Sequence, residues 1–141
     1  MGGLVGSNAG TINNSFALGA VSGEVSAFAG GLVGYNYTGA TLGQSYSTGE
    51  VTGAVAGYKG GVIGYDGSAS GSNSDCYWDT TTSHIPIGEG AGYPTNDPGL
   101  AGLTSKQLRS GLPDGFDPTV WAETHGINSG FPYLLAEPPP N

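Results

Sequence analysis

The chain has 141 residues, including 28 glycines and 9 prolines, against 27 Leu, Ile, Val and Phe taken together. That composition excludes a large leucine-rich helical core, because glycine and β-branched residues are poor helix formers, and no run of 18 apolar residues exists to span a membrane. Three basic residues stand against eleven acidic ones, a net of −8, which excludes nucleic acid and anionic lipid surfaces as natural partners. Disorder is disfavoured as well: charged residues are only 10% of the chain, where disordered sequences carry many more.

In chain order, the first element is the block Gly2-Gly3-Leu4-Val5-Gly6-Ser7-Asn8. It returns as Gly30-Gly31-Leu32-Val33-Gly34-Tyr35-Asn36 and again as Gly60-Gly61-Val62-Ile63-Gly64-Tyr65-Asp66. The steps are 28 and 30 residues. A second block repeats behind the first. Ile12 to Gly19 matches Leu42 to Gly49, Val21-Ser22-Gly23 matches Val51-Thr52-Gly53, and the third copy ends at Ser74-Asp75-Cys76-Tyr77-Trp78-Asp79. Ile12, Asn14 and Phe16 alternate with Asn13 and Ser15, the period of a strand. Each unit thus predicts about three short strands separated by glycine-rich turns. Short strands at even spacing also suit a sandwich. A sandwich, however, has no need of one motif recurring every 28–30 residues, whereas a parallel β-solenoid stacks equivalent residues along its axis. The expectation is therefore an all-β, right-handed parallel β-helix of about three turns. Its paired glycines sit at corners that need positive φ or close backbone approach. Leu4, Leu32 and Val62 fill one interior column, and Phe16, Tyr46 and Tyr77 form an interior aromatic ladder.

The charge is uneven along the chain. Residues 1–65 hold Glu24, Glu50 and Lys59, a net of −1, while residues 66–141 hold nine acids with Lys106 and Arg109, a net of −7. A nearly uncharged first half suits stacked strands, where like charges would fall above one another.

These blocks resemble the GLUG motif of filamentous-haemagglutinin-like bacterial adhesins. Gly-Gly-Leu-Val-Gly-x-Asn followed by Asn-Ser-Phe or Gln-Ser-Tyr carries the likeness. Cys76 to Ser83 and Gly130-Phe131-Pro132-Tyr133-Leu134-Leu135 resemble the segments that close such arrays. The resemblance implies a secreted or outer-membrane-associated surface protein of a bacterium, exported often by two-partner secretion, and active in adhesion. It implies partners among host or cell-surface glycans and proteins, and neighbouring repeats or domains of a longer parent chain. Met1 runs straight into the repeat, so the chain reads as a piece of something longer or as a mis-called start.

The domain reading is residues 2–83 as repeats (2–29, 30–59 and 60–83), 84–135 as a non-repeating carboxyl-terminal cap, and 136–141 as a proline-rich linker. Within the cap, Thr104 and Gln107 have capping-box spacing, with Leu103 and Leu108 as the flanking apolar pair. Gly111 and Pro113 stop the helix, which predicts barely two turns near 105–110. The cap is expected to cover the face of the third repeat beside Tyr77 and Trp78, with Trp121 as its anchor, and so to shield the last strand edge.

The search for chemistry returns little. Asp75 and Asp79, four apart on a strand, stand ~13 Å apart, beyond the roughly 5–9.5 Å of paired glycosidase carboxylates. Asp114 and Asp117 flank a turn. His84 and His125 lack metal-ligand spacing, and no Gly-x-Ser-x-Gly elbow exists. Cys76, the only cysteine, takes the place of Ser15 and Ser45 and reads as a small stacked residue. Gly88-Glu89-Gly90-Ala91-Gly92 lacks the lysine of a phosphate loop and reads as a flexible loop. No cofactor or metal is expected, and no catalysis. The contact candidates are Tyr35, Tyr37, Tyr58, Tyr65 and Tyr93, since tyrosine offers a large amphipathic face to sugar or protein. The alternative is that they only cover glycine-rich corners. The leading function is a structural and adhesive segment. The competing readings are a fragment of a polysaccharide-processing β-helix enzyme and a spacer inside a secreted protease.

Overall fold

The computed structural model of the chain describes residues 1–53, 58–69, 72–92 and 97–139. Tyr93, one of the contact candidates, lies outside them. The first repeat forms β1 (Val5–Asn8), β2 (Thr11–Asn13), β3 (Phe16–Ala17) and β4 (Val21–Ser22). The second forms β5 (Ala29–Gly30), β6 (Val33–Asn36), β7 (Thr41–Ser47) and β8 (Val51–Thr52), and the third β9 (Lys59–Gly60), β10 (Ile63–Asp66) and β11 (Ser74–Asp79). There follow α1 (Thr80–Ser83), β12 (Glu89–Gly92), β13 (Leu100–Leu103), α2 (Ser105–Leu108), β14 (Trp121–Ala122) and β15 (Tyr133–Leu134).

Every pairing between repeats is parallel and in register with the sequence alignment. One sheet has the order β1-β6-β10-β12, and Val5, Val33 and Ile63 stand side by side in it. Another has the order β13-β11-β7-β2, with β3 also on β7, and Ser45 stands beside Cys76. The short pairs β4-β8 and β5-β9 complete the connections. The residue types follow from this arrangement. Leu32, Val33, Leu42, Val62, Ile63, Cys76 and Trp78 form the main core, and Val21, Ala29, Val51 and Ile85 a second one. The residue that ends the first block, Asn8, Asn36 or Asp66, is buried in each copy: Asn8 Nδ2 donates to Asn36 Oδ1 at 2.9 Å, and Asn36 Nδ2 donates to Asp66 Oδ1 at 3.1 Å. The central amide, Asn36, thus has partners in both neighbouring repeats, which offsets the cost of burying it. The paired glycines serve close approach rather than positive φ. A Cβ at Gly31 would collide with Gly61 O, and one at Gly61 would collide with the Trp78 ring. Instead, the left-handed residues at equivalent positions are Asn14, Gln44 and Asp75, at φ 48°, 41° and 52°. They put a matching kink into each copy of the second block.

The structure corrects several expectations. Leu32 and Val62 are wholly buried, but Leu4 is 40% exposed, in the repeat whose β1 is the edge strand of its sheet. The aromatic ladder does not face the interior. Cys76 and Trp78 point into the main core, so Tyr77 between them points to the opposite face of β11. Phe16 and Tyr46 share that outer face and stack at 5.4 Å with an interplanar angle of 5°. The segment Gly88–Gly92 is no loop: β12 pairs with β10, Ile63 beside Glu89, and β13 pairs with β11, Cys76 beside Leu100. Parallel pairing therefore runs on past residue 83, carried by a copy whose sequence has lost the repeat. A second helix, α1, was not foreseen. The Asp79 carboxylate caps it by accepting from Thr81 N and Thr82 N. The foreseen helix is α2, shorter than expected, with both bonds of the Thr104–Gln107 capping box formed.

Within the carboxyl-terminal segment, β12 and β13 cover the strands of the third repeat as expected, and the chain from α2 onward covers a flank. Leu108, Phe116 and Trp121 pack on Phe16, Tyr46 and Tyr77, one residue from each of the three repeats. Trp121 is buried and reaches the first repeat, where its Nε1 donates to Asn14 Oδ1 at 3.1 Å. Tyr46 Oη donates to Pro132 O at 2.6 Å and Tyr77 Oη to Asp114 O at 2.8 Å. The antiparallel pair β14-β15 and the Arg109 guanidinium, 4.5 Å above the Phe131 ring, hold the segment together. Among the described residues, no helix is long and apolar enough to cross a membrane.

Candidate functional site: an exposed aromatic patch

Tyr35 and Tyr65 occupy the x position of the first block in the second and third repeats. They stand next to each other in the β6-β10 pairing, on the face opposite the buried residues that flank them. Parallel in-register pairing puts identical residues in contact, and the rings stack at 4.5 Å with an interplanar angle of 16°. Tyr37, just beyond β6, lies 4.6 Å from Tyr35 and is tilted by 47°. Phe28 and Tyr58 precede β5 and β9, which pair with Ala29 beside Lys59. Their rings meet at 4.8 Å. Phe28 also contacts Tyr35 at 5.7 Å and Tyr65 at 5.0 Å, which joins the two columns into one patch.

All four of the described tyrosines singled out in the sequence thus come together. Tyr37 is 49% exposed and Tyr58 37%, while Tyr35, Tyr65 and Phe28 are half-buried. Phe28 was missed by sequence reading. The signal that finds it is its thirty-residue offset from Tyr58, the same offset as between Tyr35 and Tyr65. Loss of solvent around the ring, followed by the proximity of the Tyr65 and Tyr37 phenols and a hydrogen bond with Tyr65, raises the Tyr35 pKa. The patch holds no acidic or basic side chain, only one phenylalanine and four tyrosines.

The residues weighed for catalysis are engaged elsewhere. Asp79 is buried and holds Thr81 N, Thr82 N and the Ser105 hydroxyl. Asp75 accepts from Gln44 Nε2 at 3.3 Å. Asp117 closes a turn on Thr119, whose hydroxyl and amide lower the carboxyl's pKa. His84 is exposed and sits 3.6 Å from Glu50, and His125 is exposed too. Burial pushes the Cys76 thiol up to about 12, so it is a poor nucleophile. Behind β12, a cavity of about 90 Å³ is lined by Trp78, Ile87, Gly88, Glu89, Asp97 and Leu100 among others. Among the described residues, no group of three or more His, Cys, Asp or Glu is placed to hold a metal ion. The chain matches no family model, no curated protein and no solved structure.

Proposed function

We propose that the chain is a right-handed parallel β-helical segment of an exported bacterial surface protein of the GLUG type. Its role is adhesive and structural rather than catalytic, and the aromatic patch is its contact surface. The observation that carries this reading is the convergence of Phe28, Tyr35, Tyr37, Tyr58 and Tyr65 on one exposed face. Aromatic side chains have the largest apolar area to bury, and a folded chain gains nothing by leaving two of them exposed and three more half-buried on one face. The opposite flank makes the contrast. There the chain covers the equivalent column, Phe16, Tyr46 and Tyr77, with a dedicated segment of its own. The in-register repeats supply a rigid support for the patch, and rigid presentation lowers the entropy lost on contact.

The test is attachment. Beads coated with the chain should adhere to cell surfaces or to extracellular matrix, and a Tyr35→Ala/Tyr65→Ala double variant with unchanged circular dichroism should release them. Adhesion that is absent, or indifferent to both substitutions, sinks the reading.

A further inference from the structure

We propose that the aromatic patch is a binding site for an uncharged β-linked glycan, two to three sugar units long, lying along the direction in which the repeats stack. The inference deepens the adhesive reading and rests on it.

Geometry is the first argument. Tyr35 and Tyr65 step from one repeat to the next at 4.5 Å, Phe28 and Tyr58 run beside them with a step of 4.8 Å, and Tyr37, two residues along the chain from Tyr35, lies 4.6 Å from it. The two steps between repeats follow the spacing of neighbouring strands, ~4.7–4.9 Å. A pyranose ring is about as long as one such step, so successive sugars of an extended chain meet successive aromatic rings. The tilt of the outer rings matters as well. Tyr37 is turned by 47° from Tyr35, and Tyr58 by 56° from Phe28. These two rings lie outside the parallel Tyr35–Tyr65 stack and are the more exposed members of the patch. An equatorially linked sugar offers a flat C–H face to such a ring, and its hydroxyls find the phenols, which both donate and accept.

Charge is the second argument. The five side chains carry none, and the repeat-bearing residues 1–65 sum to −1 within a chain of −8. A polyanion approaching this surface meets repulsion from the rest of the molecule. An uncharged ligand does not.

The extent of the patch sets the length of the ligand. In the strand register the position before Tyr35 is Ser7 and the position after Tyr65 is Ala91. Neither residue is aromatic, so the column of the first block begins and ends within two repeats. That column holds two rings, and Tyr37 adds a third beside Tyr35.

The experiment titrates the whole chain with cello-oligosaccharides and N-acetylated chito-oligosaccharides, from monosaccharide to hexasaccharide, by calorimetry and by chemical-shift changes. Oligogalacturonates of equal length serve as the charged counterpart. Affinity should rise from monosaccharide to trisaccharide and then level off in at least one neutral series. Tyr65→Ala should weaken it about tenfold, the equivalent of 1.4 kcal/mol. Tyr37→Ala, at an exposed margin where folding is not in question, should weaken the trisaccharide more than the monosaccharide. The oligogalacturonates should bind more weakly than the neutral chains. Three results overturn the proposal: no binding of any neutral oligosaccharide, affinity that keeps growing to the hexasaccharide, or binding indifferent to both tyrosines. Bead adhesion that persists without glycan binding, yet is lost in the Tyr35→Ala/Tyr65→Ala variant, would indicate a protein partner. That outcome refutes this inference and leaves the adhesive reading standing.

Discussion

Replacing Trp121 by alanine removes the side chain that ties the carboxyl-terminal segment to the repeats. The indole is 1% exposed and touches Phe16 and Tyr46 at 6.0 Å each and Phe116 at 4.6 Å. An indole buries roughly 150–250 Å², which at about 25 cal/mol per Å² amounts to roughly 4–6 kcal/mol of transfer free energy. Partial collapse of the site brings the expected loss to about 3–5 kcal/mol, the range for aromatic truncations in cores. A finer test asks where the ring is anchored. Its Nε1–H bonds to Asn14 Oδ1, 107 residues away in the chain. A double-mutant cycle pairing Trp121→Phe with Asn14→Gly should report a coupling of about 0.5–1.5 kcal/mol. Glycine suits the left-handed backbone of Asn14 and adds no strain of its own. Urea unfolding followed by circular dichroism measures the four proteins of the cycle and Trp121→Ala. A loss below about 1 kcal/mol for Trp121→Ala, or additive single changes in the cycle, would refute the claim that the segment crosses to the first repeat.

Further outcomes follow from the same contacts. Gly61→Ala drives a Cβ into the Trp78 ring and should cost about 1–3 kcal/mol or more, whereas the same change at Gly10, where a Cβ meets nothing, should be silent in the same assay. Truncation after Leu103 keeps the parallel strands but bares Phe16, Tyr46 and Tyr77. The product should aggregate, and a monomeric, cooperatively folding fragment on light scattering and thermal melts would show that the segment is dispensable. Burial holds the Cys76 proton up to about 12 against an ordinary 9.0. Above about pH 9 the unfolded chain therefore binds fewer protons than the folded one, and stability falls as pH rises towards 12. Cys76→Ser should flatten that decline, and iodoacetamide should label the native thiol only in denaturant.

The repeat was legible because parallel in-register pairing imposes identity at matching positions: Val33 and Ile63, Asn36 and Asp66, Tyr35 and Tyr65 can be aligned by eye and do stand side by side. Legibility ended where pairing continued without identity. Glu89–Gly92 and Leu100–Leu103 each extend one of the parallel sheets, yet their residue types no longer match those of the repeats. The direction of the aromatic ladder was misread for a different reason. Period-two alternation places Phe16 and Tyr46 on one face, but it does not say which face is inside. Burial of Tyr46 depends on a segment more than 80 residues away, through its bond to Pro132 O. The patch was half legible. Tyr35, Tyr37, Tyr58 and Tyr65 stand out as aromatic residues in a glycine-rich chain. That they form one surface depends on Phe28, which no motif marks.

The central claim is that successive repeats lie parallel and in register, with the tyrosines of neighbouring copies in contact. Nuclear Overhauser effects measured on the isotope-labelled chain test it most directly. Cross-strand contacts are expected between Val33 and Ile63, between Phe16 and Tyr46 and between Tyr35 and Tyr65, together with contacts from Trp121 to Asn14. Antiparallel cross-strand contacts between neighbouring repeats, or a Tyr35 ring with no contact to Tyr65, would contradict it.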